Sequence, residues 1–170
     1  MKKLILLAFL LITSFGFSQR ILEGDTELNA GIGFSSGGWA IPIYGGIDYG
    51  ITDDISVGGM VSFSSQNYNY PGGKYKGKWM SIGANGNYHF NTLLDIPDEF
   101  DVYAGLTLAY NSFSYDYPAG DYTFSNKASG VGFAAQIGAR YFFTDTIGVN
   151  LEFGGGDIAS GGKAGITVKF

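Results

Sequence analysis

The sequence predicts an all-β chain, specifically an eight-stranded antiparallel transmembrane up-and-down β-barrel. Three observations lead there. Period-two alternation of apolar and polar residues recurs about eight times along the chain. An export segment stands at the amino terminus. The closing stretch puts Ala164, Ile166, Val168 and Phe170 on one face and Lys163, Gly165, Thr167 and Lys169 on the other. An exposed terminal Phe does little for a soluble strand. In a membrane barrel the outer face meets lipid and the last strand must close against the first.

Composition agrees. Glycine accounts for 28 of the 170 residues, against roughly 7% in ordinary usage. There are 12 Tyr and 14 Phe, while charged residues make up only 15%. Such a chain suits many short strands joined by turns, and its length suits one domain. The net charge of −5 argues against nucleic acid, which requires a basic stripe. Without cysteine there is no disulfide framework, thiolate metal site or cysteine-borne lipid anchor.

Residues 1–18 read as a cleaved signal peptide, leaving 19–170 as the barrel domain. Lys2 and Lys3 form the positive region, Leu4 to Ile12 the apolar run, and Gly16 and Ser18 the small residues before a cut at Gln19. The run is too short to span a bilayer as a helix. Losing the two lysines takes the charge from −5 to −7.

The strands follow in order. Glu27 to Phe34 aligns Leu28, Ala30, Ile32 and Phe34; Ala40 to Ile51 aligns Ile41, Ile43, Ile47 and Tyr49. Ile55 to Ser65 aligns Ile55, Val57, Val61 and Phe63, and Trp79 to Phe90 aligns Met80, Ile82, Ala84, Tyr88 and Phe90. Asp101 to Phe113 carries Val102, Ala104, Leu106, Leu108 and Tyr110. Gly130 to Phe143 carries Val131, Phe133, Ala135, Ile137, Ala139, Tyr141 and Phe143. Ile147 to Phe153 is the seventh, and Lys163 to Phe170 the eighth.

Glu27, Asp48, His89, Asp101, Arg140, Glu152, Lys163 and Lys169 all fall on the face opposite the apolar set. A lipid-facing Arg or Lys near the midplane costs about 2–4 kcal/mol, so a barrel needs this segregation. A soluble sandwich would show the same alternation, and the pattern alone does not separate the two. Alternating connection lengths favour the membrane. Tyr49 to Val57 and Tyr141 to Val149 share Tyr-x-apolar-Thr-Asp-x-Ile-x-Val, a tight turn after an aromatic. With the turn from Asn91 to Glu99 these form the periplasmic side, ringed by Tyr49, Tyr88, Tyr141 and Phe170. The other side carries a second repeat, Tyr-x-Tyr-Pro-x-Gly-x-Tyr, at Tyr68 to Tyr75 and Tyr115 to Tyr122; Pro and Gly suit outward loop tips.

On these features the chain resembles the small eight-stranded outer-membrane barrels of the OmpX/OmpW/OmpA-barrel-like group, and its Ser18-Gln19 signal ending looks like that of the Bacteroidetes-type outer membrane beta-barrel family. The resemblance implies a bacterial outer-membrane location and contact with outer-membrane lipid. It also implies recognition of Ile166, Val168 and Phe170 by the barrel-insertion machinery. The resemblance carries no catalytic motif.

Candidate chemistry is sparse. Some barrels of this kind modify lipid A with a His near the outer leaflet, but His89 falls near the periplasmic end. His89 is therefore read as an interior hydrogen-bonded residue, and the serines as lacking a base to activate them. No catalytic residue, metal or cofactor is expected. The eight inward charges are read as a lumen network, with Arg140 and Glu152 pairing diagonally across adjacent strands. This network forms a polar plug; the alternative is a narrow porin-like path past glycines such as Gly31, Gly33, Gly83 and Gly105. Outward, Tyr68, Tyr70, Tyr75, Tyr115, Tyr117 and Tyr122 offer contact area for an extracellular ligand or protein; the alternative is that they mark the membrane interface. Lys74, Lys76 and Lys78 oppose Asp116 and Asp121, so the two loops are candidates to pair. The role expected is ligand or partner contact, or envelope integrity, by a monomer whose closed sheet has no free edge. A lipocalin-like soluble barrel is the outsider, resting on Gly37-Gly38-Trp39 alone.

Overall fold

A computed structural model describes residues 20–35, 40–70, 73–116, 129–157 and 160–170. The stretches read as the signal peptide and as Gly37-Gly38-Trp39 lie outside the described residues. The alternating segments form β1 (Thr26–Ser35), β2 (Ile43–Thr52), β3 (Ile55–Tyr70), β4 (Gly73–His89), β5 (Phe100–Asp116), β6 (Ser129–Phe142), β7 (Ile147–Gly156) and β8 (Gly161–Lys169). One helical turn, α1 (Asn91–Leu94), joins β4 to β5. The strands form a closed barrel in sequence order, each antiparallel to its neighbours. The β1–β8 seam runs from Glu27 opposite Lys169 to Ser35 opposite Gly161. Phe170 lengthens the seam, its N–H donating to Thr26 O at 2.8 Å and its carbonyl accepting from Thr26 N at 3.3 Å.

What faces outward decides between a soluble and a membrane barrel. Leu106 is 64% exposed and Val131 70%, whereas Glu27 and Asp101 are 0% exposed. Apolar residues outside and ionised ones inside invert the soluble arrangement, and remove the lipocalin-like reading. Each strand pairs with a neighbour on both sides around the closed ring, as hydrocarbon demands. Phe34 lies over Gly162, where a Cβ would collide with its ring, and meets Phe153 edge-on at 5.9 Å. These contacts seal the outer face of the seam.

The Tyr-x-Tyr-Pro repeat departs from expectation. The first copy is strand rather than loop: Tyr68 pairs with Tyr75 and Tyr70 with Gly73 through the backbone. Alternating aromatics have strong β propensity, so the β3–β4 pairing continues to Tyr70 and Gly73. β2 ends at Ile43 opposite Phe63, so β3 runs seven residues further, roughly 20 Å of strand. Register places Lys76 opposite Asp116 and Gly77 opposite Tyr115; the rest of the second repeat lies outside the described residues.

At the other end the connections are short, and the shared Thr explains the shared turn. Thr52 Oγ1 accepts from Asp54 N at 3.2 Å, and Thr144 Oγ1 from Ile147 N at 2.9 Å. Each hydroxyl satisfies a backbone donor that the turn would leave open. Tyr49, Tyr88, Tyr141 and Phe170 all face outward at this end, with Phe100 against Tyr141 at 4.9 Å and Phe90 against Tyr88 at 5.1 Å. The sequence reading missed a strap across the same mouth. Arg20 to Asp25 crosses it, burying Ile21 and anchoring Arg20 on Asp53 O at 3.2 Å and Thr92 Oγ1 at 3.0 Å.

Leu106→Arg should destabilise the barrel by about 2–4 kcal/mol, measured by urea titration of folding into lipid vesicles. An unchanged titration would show that this face does not meet hydrocarbon.

Candidate functional site

The interior of the barrel is built around Arg140 on β6. Its Nη2 lies 2.6 Å from Asp48 Oδ2 on β2, and its Nη1 lies 2.9 Å from both Asp101 Oδ2 on β5 and Glu27 Oε2 on β1. In an eight-stranded ring β2 lies opposite β6, so the Arg140–Asp48 pair crosses the lumen. Asp48 also accepts from Asn29 Nδ2 at 2.9 Å and Asn85 Nδ2 at 2.8 Å. Glu27 sits off the N–H direction of Arg140, making an ion pair without a hydrogen bond. Lys169 stands opposite Glu27 in the seam and reaches Asp25 of the strap at 3.5 Å.

The expected Arg140–Glu152 pair does not form, and the cause is local. Gly138 leaves room for the Tyr103 ring, which a Cβ there would strike. Tyr103 fills the diagonal slot, stacking under the Arg140 guanidinium at 4.6 Å and donating its hydroxyl to Glu152 Oε2 at 3.0 Å. Glu152 instead pairs with Lys163, its partner in the β7–β8 register, at 2.7 Å. Inward glycines serve the same purpose elsewhere. A Cβ at Gly58 would meet Asp48 and Asn85, and one at Gly105 would meet Asn87. Both admit neighbouring side chains.

Polar residues that the sequence reading did not single out complete the filling. Tyr44 donates to Asn150 at 2.5 Å, Asn150 to Thr167 at 2.9 Å, and Thr167 to Asn29 at 2.6 Å. Thr107 donates to Gln136 at 2.7 Å, and Gln136 to Asn87 at 3.0 Å. Their only sequence signal was a place on the inward face. A space of about 30 Å³ remains among Asp48, Tyr103, Arg140 and Asn150, little more than a water needs.

His89 has two partners. Its Nδ1 lies 2.6 Å from Asp101 Oδ1 and its Nε2 lies 2.9 Å from Ser56 Oγ. The carboxylate only accepts, so Nδ1 carries the hydrogen. This corrects the expectation that no serine has a base: Ser56, His89 and Asp101 share the connectivity of a hydrolase triad. Connectivity is not access, however. All three are fully buried, and neither of these two lumen spaces is lined by Ser56 or His89.

Of the proposed insertion residues, Ile166 and Phe170 are exposed to the outside and Val168, half-buried, shares their face. The side chains of Tyr68, Tyr70, Tyr75 and Tyr115, and all of Tyr117 and Tyr122, lie outside the described residues. Among the described residues no cluster of His, Cys, Asp and Glu is arranged to hold a metal ion.

Residues 8–170 match the family described as the outer membrane protein beta-barrel domain. The chain belongs to that family. No curated protein matches the sequence significantly. Among solved structures the barrel is similar to OprG of Pseudomonas aeruginosa, at TM-score 0.63 and 14% identity over 91% of this chain and 99% of that one. It is also similar to the N-terminal barrel domain of OprF from the same organism, at TM-score 0.59 and 17% identity over 87% and 98%. Ail, the attachment invasion locus protein of Yersinia pestis, solved with the heparin analogue sucrose octasulfate, gives TM-score 0.59 and 14% identity over 88% and 100%. This member of the family is a bacterial outer-membrane protein. Such barrels keep short turns in the periplasm and longer loops outside, so the Arg140 cluster lies toward the periplasm.

Arg140→Ala, which leaves three buried carboxylates without their shared cation, should cost about 3–5 kcal/mol in refolding titrations; a loss under about 1 kcal/mol would mean that the cluster is not the keystone. A serine-reactive fluorophosphonate should leave Ser56 unlabelled in the folded barrel. Labelling found there by mass spectrometry would overturn the inert reading of the triad.

Proposed function

We propose that the chain is a closed, non-enzymatic barrel that holds a contact surface at the outer face of the membrane. The observation that carries this reading is the Arg140–Asp48 pair, which spans the lumen at 2.6 Å. Two further ties support it: Tyr103 on β5 bonds Glu152 on β7, and Tyr44 on β2 bonds Asn150 on β7. Charges so tied do not part cheaply for a passing ion. The narrow solute channel is the weaker reading, because the inward Gly58, Gly105 and Gly138 at the level of the charged layers are filled by neighbouring side chains.

The outward arm supports the contact role. Beyond Phe63, the last residue of β3 that faces β2, the strand runs on to Tyr70 paired with β4. The arm carries Lys76 and Lys78. Ail was solved with an anionic sugar analogue, and an anionic glycan is the class of partner such an arm suits. A cleaved signal of residues 1–18, insertion read from Ile166, Val168 and Phe170, and a monomeric state complete the proposal.

Wild-type protein in a planar bilayer should be silent, while Arg140→Ala/Asp48→Ala should conduct. Steady wild-type conductance would overturn the closed reading in favour of the channel, whatever the variant does.

A further inference from the structure

The lumen is closed below but hollow above. A cavity of about 370 Å³ lies between the Glu152–Lys163 pair and the long-loop end, at the small end of the range for ligand sites. Tyr44, Met60, Trp79 and Phe113 give it an aromatic and thioether wall. Trp79 and Phe113 are register partners on β4 and β5, with centroids 6.4 Å apart. Lys163 stands on β8, four strands away around the ring from β4.

The two members of the floor pair differ in what holds them. Glu152 is held at both oxygens, by Lys163 at 2.7 Å and by the Tyr103 hydroxyl at 3.0 Å. Among the described residues the Lys163 ammonium has that one oxygen; its other neighbours are Met60 sulfur at 3.8 Å and the Tyr44 ring at 5.3 Å. A thioether is a weak acceptor, so a three-donor cation at the cavity floor has one strong acceptor. An anionic oxygen would replace the sulfur with a charge-assisted bond. Glu152 limits the charge of the guest: the pair is neutral, and a dianion would bring repulsion that a monoanion largely avoids.

We propose that this cavity binds a small monoanionic amphiphile, a carboxylate on one apolar ring or short chain. Its head lies on Lys163 and its body against Trp79 and Phe113. This rests on the closed reading above, since a floor is needed to retain the guest. The chain has methionines at 1, 60 and 80. Met60 lines the cavity and Met80 faces lipid, 51% exposed, so the two report on different compartments.

The test is methyl-methionine NMR of the barrel in lipid nanodiscs, titrated with 3-phenylpropionate and, separately, with 3-phenylpropan-1-ol. The acid should shift Met60 saturably and leave Met80 still, and bind more tightly than the alcohol. Lys163→Gln should weaken the acid about tenfold or more while leaving the alcohol within about twofold. No saturable Met60 shift, joint movement of Met60 and Met80 as lipid partitioning would give, or equal affinity for acid and alcohol would each overturn the proposal. Should Lys163→Gln not fold, the wild-type preference for acid over alcohol decides. Conductance of the same preparation separates the two readings: a conducting wild type sinks the closed barrel, whereas a silent barrel with an unresponsive Met60 sinks the ligand site alone.

Discussion

One guanidinium holds the interior together. Arg140 on β6 draws in carboxylates from β1, β2 and β5, so β6 is tied through a single side chain to β1 and β2, with which it shares no backbone pairing. A buried carboxylate without a cation is costly, and a buried cation without carboxylates equally so. Much of the surrounding design follows from that constraint. Gly58 clears space for Asp48, Gly138 for the Tyr103 ring, and Asn29 and Asn85 occupy the remaining acceptor positions of Asp48. Tyr103 then separates the Arg140 cluster from the Glu152–Lys163 pair, giving the lumen two charged layers rather than one.

The lipid outside imposes the complementary demand. Hydrocarbon accepts neither a charge nor an open sheet edge, so the outer face is apolar and the ring is closed. Within that ring the two ends diverge. The periplasmic end is tied by two-sided turns, a helical turn and the Arg20 strap. The outer end releases β3, β4 and β5 into a projecting arm and leaves a hollow beneath it. The asymmetry puts the charged, filled interior in one half of the molecule and the cavity and the projecting arm in the other.

Ser56, His89 and Asp101 show why geometry alone is a poor guide to activity. Their distances fit a nucleophile, a base and an orienting acid, yet Asp101 also answers to Arg140, and the group is buried in the half of the lumen that is filled. The arrangement satisfies polar atoms that burial would otherwise strand.

The sequence by itself determined the strand count, the face of the eight lumen charges, the closing role of Phe170 and the ring of aromatics at the short-turn end. Each is written in a period of two residues or in a turn motif, and needs only near neighbours to express. Tertiary structure decided who meets whom. Glu152 and Arg140 look like partners from the β6–β7 register, and became members of different layers because a tyrosine from β5 entered the gap over Gly138. Asp48 lies 92 residues from Arg140 in sequence and is its nearest carboxylate in space. The strap had no alternation to betray it, and the Tyr-Pro-Gly signal of the first repeat hid strand as loop. Alternation says that a side chain points inward. Only closure of the ring, which sets the strand standing across the lumen, says what it finds there.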